Sequence, residues 1–152
     1  MLGRMQEWPL LMHKVIDFAA IQFPEQDVVS RTVEGPMHTT NYRAVRERAL
    51  KVAKRLEREG IKLCDRVATL AWNGYRHLEC WYGIAGAGAV YHTVNPRLFP
   101  EQIAWIMNDA EDRIALVDLT FVPLMEAIAD RLPTVERFVI LTDTAHMPAT
   151  KL

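Results

Sequence analysis

Serine is almost missing from this chain of 152 residues: Ser30 is the only one, and no strand–turn–helix elbow surrounds it. A serine nucleophile therefore has no support. Cysteine is scarce too. Cys64 and Cys80 are too few for a disulfide framework and have no second cysteine or histidine at ligand spacing. A structural metal site is not expected, and a reducing cytoplasm is the simplest setting. Seven glycines are scattered, and only Gly83, Gly86 and Gly88 cluster, without a lysine beside them. A phosphate-cradling loop needs clustered glycines whose N–H groups converge on the anion. No apolar run approaches the roughly 18 residues of a membrane span, and the first residues lack the apolar core and cleavage site of a secretory signal. A net charge of −1 also argues against a dedicated nucleic-acid binder.

What is present is an ordinary globular balance, 50% hydrophobic and 24% charged. A chain of about 150 residues buries roughly 68–70% of its unfolded surface, enough for one domain. Leu10 to Phe23 reads as a helix, with Leu11, Val15, Phe18, Ala19 and Ile21 at helical spacing before Pro24. Asp27 to Val33 is β-branched and reads as a strand, and Met37 to Thr40 pairs back across Glu34-Gly35-Pro36. Thr40 or Asn41 caps a helix from Tyr42 to Glu59 whose apolar face is Val45, Ala49, Val52, Ala53 and Leu56. Gly60 follows at the C′ position. From Arg66 onward strands alternate with helices: Arg66–Trp72, Ala89–Val94, Ile114–Val117 and Phe138–Leu141 as strands, with helices over 75–87, 101–110 and 121–132. That alternation predicts an α/β fold, a mostly parallel sheet with helices on both faces.

Several features invite a chemical reading. The helix from Tyr42 carries seven basic residues, Arg43, Arg46, Arg48, Lys51, Lys54, Arg55 and Arg58; they suit either a solvated face or an anionic surface. His77-Leu78-Glu79 opens like a zinc deaminase signature, but the required Pro-Cys-x-x-Cys is absent. Gly86-Ala87-Gly88 opens like a dinucleotide fingerprint, yet it closes a helix instead of starting one. Tight packing of helix on strand is the expected use of these glycines. His92 in its strand is either a core histidine with a hydrogen-bond partner or a base. Asn95-Pro96-Arg97-Leu98-Phe99-Pro100 lies just past the carboxyl end of a parallel strand, where open α/β sheets place ligand crevices. Two prolines stiffen it and Asn95 can bond its own turn. The loop is either a rigid connector or a support aiming Arg97 at an anion. Asn95, Arg97 and His92 are the candidate crevice or interface residues.

The stretch from Asp65 to Arg113 resembles the amino-terminal part of AMP-forming acyl-CoA synthetases, in particular medium- and long-chain fatty acyl-CoA ligases. The pieces that carry the resemblance are Asp65-Arg66-Val67-Ala68, Trp72-Asn73, Arg76-His77-Leu78-Glu79, Gly88-Ala89-Val90, His92-Thr93 with Asn95-Pro96-Arg97-Leu98, and Ala110-Glu111-Asp112. It extends from about Trp8 to Thr142. Leu63-Cys64 stands where the family commonly has Pro-Gly, and Asn108-Asp109 where it has Asn-His. The resemblance implies a two-step reaction in which ATP and a carboxylate give an acyl-adenylate and pyrophosphate, and CoA then displaces AMP. The intact enzyme would use ATP, Mg2+ and CoA, with a fatty acid as substrate. The phosphate loop and mobile carboxy-terminal domain of such enzymes lie downstream of the matched region, so no catalytic residue is carried over and no cofactor is expected for this chain alone.

Residues 1–142 are accordingly read as the first subdomain of the synthetase large domain, with 143–152 a loose tail. The chain is expected to be a fragment of a fatty acyl-CoA ligase, inactive alone, whose partners are the remainder of the synthetase and further copies of itself, with neither nucleic acid nor a membrane span. The alternatives are a stand-alone oligomerisation module and a nucleotide-binding α/β domain.

Overall fold

The computed structural model describes residue 3 and residues 7–152. The elements run α1 (His13–Gln22), β1 (Asp27–Arg31), β2 (Met37–Asn41), α2 (Tyr42–Arg58), β3 (Arg66–Leu70), α3 (Tyr75–Gly86), β4 (Val90–Thr93), α4 (Pro100–Asp109), β5 (Ile114–Val117), α5 (Val122–Ile128) and β6 (Arg137–Ile140). Strands β1 and β2 form an antiparallel hairpin, Ser30 opposite His38. The other four form a parallel sheet in the order β4-β3-β5-β6.

This is the α/β architecture that the alternating pattern predicts. The chain leaves β3 toward β4, then reverses and crosses to β5 and β6. Right-handed crossovers send connections that run in opposite directions to opposite faces. Two cores result. Ala68 and Leu70 of β3 and Ala115 and Val117 of β5 bury against α4 and α5, with Ile103, Met107, Val122 and Met125. Val67, Ile114 and Leu116 point the other way, onto Leu56 of α2 and Cys80 and Ile84 of α3. Among the described residues no helix is long and apolar enough to cross a membrane.

Helix ends follow their chemistry. Asn41 caps α2, its Oδ1 accepting from the Ala44 N–H at 2.9 Å. Gly60, at φ +77°, closes α2 with Ile61 N–H donating to Leu56 and Gly60 N–H to Glu57, the double bond of a Schellman ending. Gly88, at φ +80°, closes α3 the same way through Ile84 and Ala85. Helix α4 repeats the ending with Glu111 at φ 51° where a glycine is usual.

Three expectations need correction. In α1 the buried residue is Ile16, whereas Val15, Phe18 and Ile21 are 55–71% exposed. An apolar helix face implies burial only where something covers it. Gly86 and Gly88 do not press a helix onto a strand: a Cβ on Gly86 would meet His13 Cβ of α1 at 3.7 Å and one on Gly88 the Leu63 side chain at 2.9 Å. The tightest approach is at Gly83, where a Cβ would lie 2.6 Å from Val52 Cβ and 2.7 Å from the Ala49 carbonyl oxygen of α2. Residues 143–152 are tied down. Asp143 caps a 3-10 turn over Thr144–His146, Thr150 and Lys151 both donate to Glu126, and Leu152 packs on the α4–α5 core. Cys64 is exposed at φ 67°, and Cys80 is buried in α3.

Candidate functional site

The sheet changes direction between β3 and β5, and the crevice at the carboxyl ends of such strands is where open α/β sheets bind ligands. Here the two strands end in Leu70 and Val117. Asp118 ties them together: its N–H donates to the Leu70 carbonyl at 3.0 Å and its Oδ2 accepts from the Trp72 N–H at 2.7 Å. Asp118 is only 5% exposed. Burial raises its carboxyl above the usual range, while the Trp72 N–H and nearby Arg76 hold it down in part. The Trp72 ring spans the gap to Phe121, centroids 5.1 Å apart, with Nε1 donating to the Thr120 hydroxyl.

Behind this strut stands a buried ion pair. One guanidinium nitrogen of Arg76, on the first turn of α3, lies 2.9 and 3.1 Å from the two oxygens of Glu34 in the β1–β2 turn. Thr142 donates to the same carboxylate at 2.7 Å. Burial alone would raise Glu34, but the Thr142 and Arg76 donors overturn that and hold it at about 2. Glu34, Asp143 and His146 bring ligand atoms within 4.8 Å of one another. The Arg76 cation already neutralises Glu34, so this set is poorly suited to a divalent ion.

On the α3 side of the crevice lies an open cavity of about 430 Å3, walled by Trp81, Tyr91, His77 and Leu78 and roofed by Val28 and Ser30 of the hairpin. The rings converge, with Trp81 and His77 centroids 6.2 and 5.7 Å from Tyr91. His77 Nδ1 lies 3.1 Å from the Trp72 carbonyl, which can only accept, so the proton sits on Nδ1 and Nε2 keeps its lone pair. Burial lowers the His77 pKa and that carbonyl bond partly offsets it. Among the described residues no Lys, Arg, Asp or Glu lines the cavity. It suits a neutral, flat or apolar group, not a triphosphate.

The expected site residues lie apart from this crevice. His92 points to the opposite face of edge strand β4 and bonds Asp112 at 2.7 Å. Asn95 accepts from the Arg97 N–H at 3.0 Å, the self-closed turn its sequence predicts. Arg97 is exposed, and its side chain has no hydrogen-bond or ion-pair partner among the described residues. Of the seven basic residues of α2, Arg43, Arg46, Arg48 and Arg55 pair with Glu25, Asp17, Glu79 and Glu59. His77 and Glu79 serve different partners, Trp72 and Arg48. The Gly88 N–H is consumed by the α3 ending and lies at a helix carboxyl end, where an anion is disfavoured.

Sequence reading gave Glu34 and Asp118 no role at the site, and weighed Glu79 only within the His77-Leu78-Glu79 motif. The signal was an acid embedded in or flanking an apolar run, as Asp118 directly follows Ile114–Val117.

A family model for AMP-binding enzymes matches residues 17–151. A 3-methylmercaptopropionyl-CoA ligase of Ruegeria pomeroyi is 48% identical over all of this chain, which covers 28% of that protein. A medium-chain-fatty-acid–CoA ligase of Ectopseudomonas oleovorans is 42% identical over 97% of the chain, again covering 28% of the relative. Among solved structures, a Mycobacterium tuberculosis fatty acyl CoA synthetase superposes with a TM-score of 0.74 at 23% identity, over 92% of this chain and 30% of that one. The chain thus spans just over a quarter of the length of these relatives.

Proposed function

Because the chain belongs to the AMP-binding enzyme family, we propose that it is the amino-terminal part of an AMP-forming acyl-CoA ligase. Its substrate in the intact enzyme is a medium- or long-chain fatty acid, or a shorter thioether acid such as the one named for the Ruegeria pomeroyi relative, converted with ATP and CoA to the acyl-CoA, AMP and pyrophosphate in the cytoplasm. The observation that carries this reading is the identity of 48% and 42% to two acyl-CoA ligases over essentially the whole chain.

The residues present do not fit the triphosphate. The one glycine cluster ends a helix, its Gly88 N–H is spent, and Arg76 is spent on Glu34. The crevice at β3 and β5 therefore supplies scaffold: Asp118 and the Glu34–Arg76 pair hold the strand ends, the hairpin and α3 in one arrangement. The motifs that carry the resemblance serve the same end. Asp65 accepts from the Lys62 N–H and pairs with Arg113, and Arg66 pairs with Glu111. His92 likewise anchors β4 to the turn before β5, and the Asn95–Arg97 loop stiffens the exit from β4.

The test is pyrophosphate exchange with a panel of carboxylates. The 152-residue chain alone gives none. The same chain fused to the remainder of the Ruegeria pomeroyi ligase exchanges pyrophosphate with at least one fatty or thioether acid. Exchange by the chain alone, or none by the fusion with any carboxylate, defeats the reading.

A specific observation favours self-association alongside it. Trp8 and Leu11 just before α1 and Val15, Phe18 and Ile21 on it leave apolar side chains 48–71% exposed, and exposed apolar surface commonly marks an interaction site.

A further inference from the structure

The open cavity beside α3 is not needed to hold the strand ends together, yet its size and lining are those of a small-molecule site. Its volume of about 430 Å3 falls within the roughly 300–1,000 Å3 of such pockets, which are mostly apolar with a few well-placed polar groups. Three elements far apart in sequence close on it: strand β1 of the hairpin, α3 and edge strand β4.

The wall is aromatic. His77 and Trp81 stand one turn apart on α3, and the Tyr91 ring of β4 meets both. Trp81 is 38% exposed, and its plane lies within 27° of that of Tyr91. A flat ring laid on this wall gains aromatic contact. Beneath it the hydroxyls of Tyr91 and Thr69 lie near each other, buried and without a well-aligned partner, a state few buried polar groups keep.

Polarity narrows the occupant. With no cation or carboxylate in the lining among the described residues, a charged ligand would lose hydration and find no counter-ion. Carboxylates and phosphates are thereby set aside. The Ser30 and Thr93 hydroxyls can turn to donate or accept. His77 has no such choice. Its Nδ1 proton is committed to the Trp72 carbonyl at 3.1 Å, and burial lowers its pKa, so at neutral pH the ring is uncharged. Nε2 is left as an acceptor with no partner among the described residues.

We propose that this cavity binds a free, uncharged aromatic or heteroaromatic molecule of one or two rings, stacked on Trp81 and donating an N–H or O–H to His77 Nε2. The site stands whether or not the chain is part of a ligase.

The probes are indole and benzofuran, flat molecules of the same outline that differ in having or lacking an N–H. Calorimetric titration of the 152-residue chain at neutral pH gives saturable one-to-one binding of indole. Benzofuran binds about tenfold more weakly, because it leaves the His77 acceptor without a donor. His77→Phe keeps a ring and removes the acceptor, and the two probes then bind alike. Trp81→Ala weakens both about fivefold, whereas Trp105→Ala, on α4 and outside the cavity, changes neither. ATP and CoA do not displace indole. The chain fused to the remainder of the Ruegeria pomeroyi ligase binds indole as the chain alone does. Absence of saturable indole binding overturns the proposal, as does equal binding of the two probes by the native chain or displacement by ATP or CoA. Loss of binding in the fusion overturns it too, by showing that the rest of the parent fills the cavity. Pyrophosphate exchange by the same fusion reports on the ligase reading and is independent of all these results.

Discussion

The imidazole of His92 lies 2.7 Å from the Asp112 carboxylate, joining edge strand β4 to the turn that opens β5. Asp112 is fully buried and its second oxygen has no partner. The bond from Asp112 raises the His92 pKa, against a smaller opposing effect of burial. A raised histidine stabilises the fold fully below its unfolded value of about 6.5 and loses that contribution as pH rises through the elevated value. Urea midpoints measured from pH 5.5 to 8.5 therefore fall more steeply in the native chain than in His92→Gln. Parallel profiles for the two proteins would sink the assignment.

The Glu34–Arg76 pair makes the opposite pH demand. Glu34 is held at about 2, below its unfolded value near 4.3. Its stabilisation is complete above that unfolded value and is lost as pH falls toward 2. Glu34→Gln flattens the acid limb of the stability profile. Arg76→Leu leaves a carboxylate whose side chain is 3% exposed without its cation, and costs about 3–5 kcal/mol at neutral pH. Denaturant titration checks both, and a cost under about 1 kcal/mol for Arg76→Leu would show the pair to be dispensable.

Gly83→Ala tests the contact of α3 with α2. In an open helix this change gains up to about 1 kcal/mol. Here the new Cβ meets Val52 and, worse, the Ala49 carbonyl oxygen, which cannot rotate away. The expected net loss is about 1–3 kcal/mol, a melting shift of roughly 2–4 °C for each kcal/mol in a chain of this size. Val52→Ala in the same chain recovers only part of it, because it removes the Cγ contact and leaves both the Cβ of residue 52 and the Ala49 carbonyl oxygen.

Replacing Phe18 by lysine tests association through α1. The native chain sediments as dimers or larger species at high micromolar concentration, and Phe18→Lys shifts it toward monomer; at dilutions where both are monomeric the two melt together, since Phe18 is 61% exposed. A native chain that is monomeric throughout would leave the exposed apolar residues of α1 without this role.

Much of the fold was legible in periodicity. Strands such as Ile114–Val117, buried throughout, announce themselves as short apolar runs between helices, and Asn41, Gly60 and Pro100 mark ends by local chemistry alone. The α1 face misled because helical spacing reports which residues share a side, not whether a neighbour is there. The site was harder to see. Arg48 and Glu79 are 31 residues apart, Trp72 and Asp118 are 46, and Thr142 and Glu34 are 108. Pairings at such separations exist only once the sheet order is set, and that order reverses at β3, which no local pattern states. His92 was singled out from its strand, but its partner Asp112 lies across the sheet, at the far end of α4.

The two cysteines differ in a way that experiments can use. Burial inside α3 pushes the Cys80 thiol up to about 12, so at neutral pH it stays protonated and shielded from alkylation. Cys64 stands in the open before β3. A maleimide dye added to the native protein will thus attach at one address without mutagenesis, and slow labelling of the second thiol becomes a clock for the opening of the helix that hides it.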